Sequence, residues 1–217
     1  TDLRTGHTKI SNVRTEIQGL SNIQKYCSSN SLSDMEQATT HMMKTYAKIG
    51  DATVYPINNK DLEFRVSYQK ETMMSNKTPL VSQMISEWAN TKKNFRFINR
   101  VSFIHSHYPV RIDMRVVKSS INQKQYSISE SGVFNGLETY EIEIEVMNKE
   151  LKYTETVINL VGYIKNTIKI ILSGLQNTNY PIGVTEQTNV KRSYYKLLHG
   201  REKDYLQPRD FAGPASF

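Results

Sequence analysis

Three glutamates alternate with apolar residues along the run Thr-Tyr-Glu-Ile-Glu-Ile-Glu-Val-Met at residues 139–147. Because successive side chains of a strand point to opposite faces, Glu141, Glu143 and Glu145 share one face and the apolar residues share the other. Same-face neighbours lie about 6.5 to 7 Å apart, so the three carboxylates repel one another unless cations or water intervene. The glutamate face is therefore either solvated, or it binds a hard metal cation or a set of basic groups.

Three further segments carry arginine on one face of a predicted strand, opposite an apolar face. The residues on these charged faces are Arg65, Ser67, Arg96, Arg100, Ser102, Arg111, Asp113 and Arg115. A sandwich with one face in water has the same alternation, but the recurrence of arginine favours an enclosed site. Arginine suits phosphate because its planar fork donates two parallel hydrogen bonds. Arginines beside a metal-binding glutamate row are typical of a phosphoryl-transfer site.

The composition is that of a basic protein. The chain has 217 residues, 38% of them hydrophobic, and a formal net charge of +7. Such a charge favours polyanionic partners such as RNA, nucleotides or polyphosphate. The alternative is that the positive charge only keeps the protein soluble. Cys27 is the only cysteine, which excludes an intrachain disulfide and a cysteine-based zinc site. With neither a signal pattern nor an apolar run of about 18 residues, we expect no membrane contact and an intracellular protein, located in the cytoplasm or, if viral, in the virion.

Antiparallel strands dominate the middle of the predicted fold. The alternation of apolar and charged residues predicts strands over residues 95–104, 110–118 and 138–146. The last of these is expected to form a hairpin with residues 125–129. Since hairpin-like connections join strand after strand, the sheet is expected to be antiparallel and able to close into a barrel.

Helices are predicted on both sides of these strands. The run Ser-Asp-Met-Glu at residues 33–36 fits a capping box, which predicts a short helix ending near residue 43. Helical periodicity also covers residues 78–88, after an initial proline, and residues 157–175. The polar and basic residues 185–217 are expected to form a C-terminal extension or linker, with a solvated helix or linker face around residues 191–196. The fold class is therefore α+β.

These motifs together resemble the triphosphate tunnel metalloenzymes. The resemblance is carried by Tyr-Glu-Ile-Glu-Ile-Glu-Val at 140–146, Arg-Ile-Asp-Met-Arg at 111–115 and Asp-Leu-Glu-Phe-Arg-Val-Ser at 61–67. More narrowly, the motifs are similar to the RNA triphosphatase domains of mRNA capping enzymes from fungi, protozoa and large DNA viruses. The run Asp-Phe-Ala-Gly-Pro at 210–214 resembles the segment that leads into a guanylyltransferase domain in bifunctional viral enzymes.

The resemblance implies a β-rich fold, an eight-stranded antiparallel tunnel with helices packed outside. It would occupy residues 1–184, and residues 185–217 would be a C-terminal extension or linker toward a guanylyltransferase domain. The family has a second Glu-x-Glu strand near its N-terminus, and no such motif precedes Val13. We therefore expect that strand upstream of Thr1, and we expect a chain without it to lack triphosphatase activity.

The resemblance also implies a metal-dependent site inside the tunnel. Glu143 and Glu145 would bind a divalent cation, Mg²⁺ or Mn²⁺, and Glu141 would be the third acid of that strand. The other residues implied to act on the triphosphate are Arg65, Arg100, Arg111, Asp113 and Arg115, with Lys48 and Arg14 as further placements.

The function implied is that of a polynucleotide 5′-phosphatase, which removes the γ-phosphate of nascent mRNA in the first step of cap formation. Its partners would be 5′-triphosphate RNA, nucleoside triphosphates, and guanylyltransferase and methyltransferase domains in cis or in trans. Two alternatives stay open. One is a tunnel enzyme that acts on free nucleoside triphosphates or polyphosphate, and the other is a non-enzymatic basic RNA-binding β domain whose charged faces follow backbone phosphates.

Overall fold

The computed structural model describes residues 12–147 and 156–203, together with residues 205, 207 and 210. The strands of this part of the chain are β1 (Val13–Ile17), β2 (Thr39–Tyr46), β3 (Lys48–Ile49), β4 (Ala52–Thr53), β5 (Ile57–Asn59), β6 (Phe64–Val66), β7 (Gln69–Met74), β8 (Arg96–Ile104), β9 (Val110–Ser119) and β10 (Glu138–Val146). Its helices are α1 (Leu20–Ser29), α2 (Pro79–Ser86), α3 (Ile128–Ser131), α4 (Val157–Gln176) and α5 (Val184–His199). The predicted α+β class is confirmed.

The described strands pair into two three-stranded sheets and two short hairpins. One sheet has the order β1-β2-β7 and the other the order β10-β9-β8, while β3 pairs with β4 and β5 with β6. Neighbours within the first sheet, the two hairpins and the β8–β9 pair run antiparallel. Within the described residues these pairs do not join into one closed sheet. The eight-stranded tunnel therefore stays a prediction.

The chain divides into two compact units. The first, here called the sheet unit, comprises residues up to 55, residues 67–105 and residues 111–145. The second, here called the helix unit, comprises residues 56–66, residues 106–110 and the residues from 146 onward. The sheet unit thus holds nearly all of both three-stranded sheets, and the helix unit holds the β5–β6 hairpin, α4 and α5. None of the described helices is long and apolar enough to cross a membrane.

A buried aromatic cluster forms the core of the sheet unit. Tyr26, Leu32 and Met35 are each 3% exposed, and Trp88 and Phe95 pack against them. The indole Nε1 of Trp88 donates a hydrogen bond to the Tyr26 hydroxyl at 3.0 Å, and burial raises the pKa of Tyr26 to about 12. Because Phe95 directly precedes β8, this core fixes the point where that strand begins.

The predicted helix after Ser33 is wrong. A single 3-10 turn at Glu36–Ala38 leads directly into β2. The Ser33 hydroxyl lies 2.8 Å from the Ser31 hydroxyl, and no capping hydrogen bond forms. The next residues are Thr39 and Thr40, whose β-branched side chains favour a strand. This strand, β2, pairs with β1 on one side and β7 on the other, and that pairing outweighs the local tendency to form a capped helix.

The predicted hairpin between residues 125–129 and β10 is also wrong. Ser127 caps α3, since its hydroxyl accepts a hydrogen bond from the Glu130 N–H at 3.3 Å, and the Glu130 carboxylate accepts one from the Ser127 N–H. Strand β10 lies instead beside β9. The bounds predicted for β8, β9, β10 and α4 agree with the structure to within one residue at each end.

In the helix unit, a carboxylate from the β5–β6 hairpin caps α5. Asp61 Oδ1 accepts a hydrogen bond from the Thr185 N–H at 2.8 Å, and the Asp61 carbonyl accepts one from the Val184 N–H at 2.8 Å. The hydrogen bond from Thr185 lowers the pKa of Asp61. A Cβ atom on Gly183 would lie 2.1 Å from Asp61 Oδ2, so a larger residue there would displace the capping carboxylate. Residues 184–199, which overlap the expected linker, therefore form a capped helix tied to the hairpin.

The Asp61→Ala substitution should lower the melting temperature of the protein, because it leaves the Thr185 N–H without its acceptor. Asp61→Asn keeps an oxygen acceptor and should retain most of the stability. The folded-state pKa of Asp61 is depressed, so its contribution is present above the unfolded pKa of about 3.9 and is lost as pH falls through the folded value. Thermal unfolding followed by circular dichroism at pH 7 and pH 3 checks both points. If the difference in melting temperature between the wild type and Asp61→Ala were larger at pH 3 than at pH 7, the stabilising role of the ionised Asp61 carboxylate would be contradicted.

His41 is a buried titratable group in the sheet β1-β2-β7. It is 1% exposed, its Nδ1 lies 2.9 Å from the Thr15 hydroxyl oxygen, and its buried Nε2 has no hydrogen-bond partner among the described residues. Burial lowers the pKa of His41, because the charged imidazolium would lose its hydration. The folded protein therefore holds this ring in the neutral form.

The free energy of unfolding should therefore fall as pH drops below the unfolded histidine pKa of about 6.5, since the unfolded chain then binds more protons than the folded one. His41→Gln removes the titrating group and should make this decline shallower. Urea unfolding of both proteins at pH 7.5 and pH 5.5 measures the difference. Equal declines in the two proteins would show that His41 does not cause the pH dependence.

Candidate functional site

The sheet β10-β9-β8 brings the charged residues of three strands onto one face. In the antiparallel β8–β9 pair, Arg100 lies opposite Arg115 and Ser102 lies opposite Asp113. Opposed residues of such a pair point to the same face, so the arginine rows of the two strands meet. The residues here called the charged face are Arg96, Arg100, Ser102, Arg111, Asp113, Arg115, Glu141, Glu143 and Glu145.

Strand β10 runs antiparallel to β9, as two contacts near its start and one near its end demonstrate. The Thr139 hydroxyl donates a hydrogen bond to the Val117 carbonyl at 3.2 Å, and Lys118 Nζ lies 3.5 Å from Glu138 Oε1. At the other end, Glu145 contacts Arg111. The chain order is thus reversed between the two strands, and the odd-numbered glutamates align with the odd-numbered charged residues of β9.

Asp113 is the centre of the charged face and is 1% exposed. The Ser102 hydroxyl donates a hydrogen bond to its Oδ1 at 2.7 Å, and Arg115 Nη2 donates one to its Oδ2 at 3.0 Å. Arg111 Nε lies 3.2 Å from Oδ1, and Arg100 Nη1 lies 3.7 Å from Oδ2. Three arginines and a hydroxyl from two strands therefore surround one carboxylate.

These contacts keep the buried carboxylate ionised. Burial alone would raise the pKa of Asp113, but the hydrogen bonds from Ser102 and Arg115 and the charges of Arg111 and Arg100 outweigh it and lower the pKa. Burial also disfavours the charged form of Arg115, yet Asp113 and Glu143 raise its pKa. A buried charge without such partners would be strongly unfavourable. The Asp113–Arg115 pair is therefore stable only as a pair.

Each of the three glutamates of β10 on the charged face contacts one arginine of the sheet. The contacts join Glu141 to Arg96 at 2.6 Å, Glu143 to Arg115, and Glu145 to Arg111. The sequence left water, a metal cation and basic groups open as partners of the glutamate row. In this structure basic side chains separate the three like charges. The glutamate side chains are 41 to 42% exposed. They form the accessible rim of a face whose centre is buried.

The charged face combines charge balance with one unused hydrogen-bond donor. Its four arginines and four carboxylates carry opposite charges of equal number. The buried Nε–H group of Arg115 has no hydrogen-bond partner among the described residues, whereas Arg111 Nε lies beside Asp113 Oδ1. Buried donors are nearly always paired, so the Arg115 group marks a place where an acceptor such as a phosphate oxygen or water fits.

Glu143 and Glu145 were the predicted metal ligands. Within the described residues, no group of three or more His, Cys, Asp and Glu side chains is arranged to hold a metal ion. Mg²⁺, however, is usually bound by one or two carboxylates together with water and substrate phosphates. Glu143 and Glu145 are two such carboxylates on one strand face, and in this structure each of them contacts an arginine.

The remaining predicted residues lie elsewhere. Arg65 is exposed on β6 in the helix unit, Lys48 is exposed on β3, and Arg14 is on β1, where its Nε lies 3.5 Å from the carboxylate of Glu16. Arg96 was assigned no role from the sequence, although it shares the strand face of Arg100. The even number of residues between the two arginines places Arg96 on the same face of β8 as Arg100.

None of the protein-family models, curated proteins or solved structures compared with the chain matches it.

Asp113→Ala should destabilise the protein by about 3 kcal/mol or more, because it removes the buried partner of Arg115 and leaves that guanidinium only the partly exposed carboxylate of Glu143. Glu141→Gln removes an exposed partner from the same face and should lower the free energy of unfolding by less than about 1 kcal/mol. Urea unfolding at pH 7 measures both changes. Similar losses for the two variants would mean that Asp113 is not the centre of the charge network.

Proposed function

We propose that the protein is a metal-dependent RNA 5′-triphosphatase that removes the γ-phosphate of nascent mRNA in the first step of cap formation. In this proposal the sheet β10-β9-β8 is one wall of an eight-stranded antiparallel tunnel. The observation that supports it best is the charged face itself, in which three arginines surround a buried aspartate and three accessible glutamates contact arginines of the same face. This combination suits a phosphate chain together with a cation.

The arginines of the face would bind the triphosphate by exchanging partners. Arg111 and Arg115 hold the carboxylates of Glu145 and Glu143, which are partly exposed, so an incoming phosphate competes for the same guanidinium groups. Phosphate carries more charge than one carboxylate and accepts two parallel hydrogen bonds from arginine. The exchange would release Glu143 and Glu145 on the side where the phosphate binds.

The released carboxylates of Glu143 and Glu145 would hold the divalent cation through their oxygens. When bound, such a cation neutralises the charge that develops on the γ-phosphate and its leaving group. The arginines complete this neutralisation from the side of the sheet.

Asp113 would position the arginines rather than transfer a proton. Its low pKa and its engagement by Ser102 and Arg115 leave it unsuited to act as a base. One of the glutamates on the charged face would orient the attacking water and accept its proton. The water oxygen bonds to the γ-phosphorus, the β–γ bridging bond breaks, and the RNA leaves with a 5′-diphosphate.

Glutamine variants of Glu143 and Glu145, made in the full-length protein, test this function. Glutamine keeps the size of the side chain and removes its charge. We expect γ-phosphate release from triphosphate-ended RNA to fall by about 100-fold or more in each variant. Glu138→Gln is the matched control, because Glu138 lies on the same strand, contacts Lys118 and alternates onto the other face. It should change the rate less than about twofold.

Undiminished release from both glutamine variants would exclude the proposed roles of Glu143 and Glu145. The RNA-binding alternative gives a different result in the same proteins. It predicts salt-sensitive RNA binding without divalent metal, no γ-phosphate release from the wild type, and binding that is unchanged or stronger in the glutamine variants.

A further inference from the structure

A cavity of about 340 Å³ opens at one end of the charged face. It lies between residues 94–96, where β8 begins, and residues 119–123, where β9 ends and the chain turns. Its volume is within the range of small-molecule sites in proteins, at the lower end. No sequence pattern predicts this cavity, because the two segments that line it are far apart along the chain.

The walls of this cavity are held in place by hydrogen bonds that do not involve its interior. The Ser120 hydroxyl accepts a hydrogen bond from the Phe95 N–H at 2.8 Å, and the Ser120 N–H donates to the Phe95 carbonyl at 3.0 Å. On the far side, Asn122 Nδ2 donates to the Glu130 carbonyl at 2.9 Å. Phe95 also packs against the aromatic core. These contacts hold its two walls together, while most of its lining residues stay exposed to solvent.

The lining of the cavity has the polarity of a nucleoside site. The side chains of Asn94, Ser119 and Gln123 take part in none of the hydrogen bonds within the described part of the chain. An amide side chain offers both donors and an acceptor, as the edges of nucleobases do, and Asn and Gln are common partners of such edges. Apolar atoms of Phe95 and Ile121 complete the lining. Neutral amides beside apolar surface suit a base and ribose better than a phosphate.

Arg96 joins this cavity to the charged face. It lines the cavity, and its Nη2 lies 2.6 Å from Glu141 Oε1. Along β8 the distance from Arg96 to Arg100 is four residues, or about 13 Å, and Arg111 and Glu145 lie at the opposite end of the sheet. A triphosphate whose α-phosphate lies near Arg96 would extend its γ-phosphate along the sheet toward Arg115 and Glu143.

We propose that this cavity binds the base and ribose of the first nucleotide, so that it distinguishes triphosphate-ended RNA and nucleoside triphosphates from inorganic polyphosphate. The assignment rests on the proposed function of the charged face. It adds a specificity site whose residues, Asn94 and Gln123, take no part in the chemistry.

The double substitution Asn94→Ala with Gln123→Ala tests this site in the full-length protein. The KM for a short triphosphate-ended RNA should rise about tenfold, since two hydrogen bonds to the base are lost. The kcat and KM for inorganic tripolyphosphate should stay within twofold of the wild type. Asn99→Ala is the control, because Asn99 is an exposed amide of β8 that alternates onto the other face. Asn99→Ala should leave the kcat and KM for both substrates unchanged.

The two proposals fail in different ways. Suppose that the wild type hydrolyses both substrates. If the double variant then keeps the wild-type KM for RNA, or if its activity on RNA and on tripolyphosphate falls equally, the nucleoside site is refuted while the phosphatase function stands. If the wild type hydrolyses neither substrate, the phosphatase function fails. In that case calorimetric titration with guanosine and with adenosine decides the cavity alone. Saturable binding that the double variant loses supports the site, and no saturable binding to the wild type overturns it.

Discussion

The buried charge of Asp113 is the constraint on which the sheet β10-β9-β8 depends. A carboxylate that is 1% exposed persists in ionised form only because Ser102 and Arg115 donate hydrogen bonds to it and Arg111 and Arg100 lie close by. Two of those arginines are also the partners of Glu143 and Glu145. The register of three strands and the spacing of the glutamate row therefore form one electrostatic arrangement, and a shift of one residue in any strand would disrupt it.

This arrangement also connects structure with the proposed chemistry. The contacts between arginine and glutamate lie at the exposed rim, where ion pairs are weak and solvent competes for both partners. The contact between Arg115 and Asp113 lies in the buried centre, where losing one partner is costly. A ligand can therefore exchange the rim contacts while the centre keeps the arginines in position. Such a division lets a face bind phosphate without losing its geometry.

The sequence predicted which residues share a face far better than it predicted their partners. Period-two alternation located β8, β9 and β10 because side-chain parity is a property of the strand itself. It could not decide whether Glu143 meets a cation or Arg115, since that depends on which strand lies beside β10. The capping motif is a second example, because Ser127 caps a helix whereas Ser33, with the same spacing to a glutamate, does not. Tertiary pairing of β2 decided that case. The cavity beside Arg96 depends on segments 25 residues apart in sequence that the register of β8 and β9 brings together.

The equal number of positive and negative groups on the charged face has a kinetic consequence. The chain as a whole carries a formal charge of +7, yet the four arginines and four carboxylates of this face contribute nothing to that excess. A polyanion in solution would then be attracted by the basic surface outside the face, and the arginines of the face would interact with it only at contact distance. Added salt should slow the diffusional encounter through that outer field, while the short contacts between a bound anion and the partly buried guanidinium groups are much less screened.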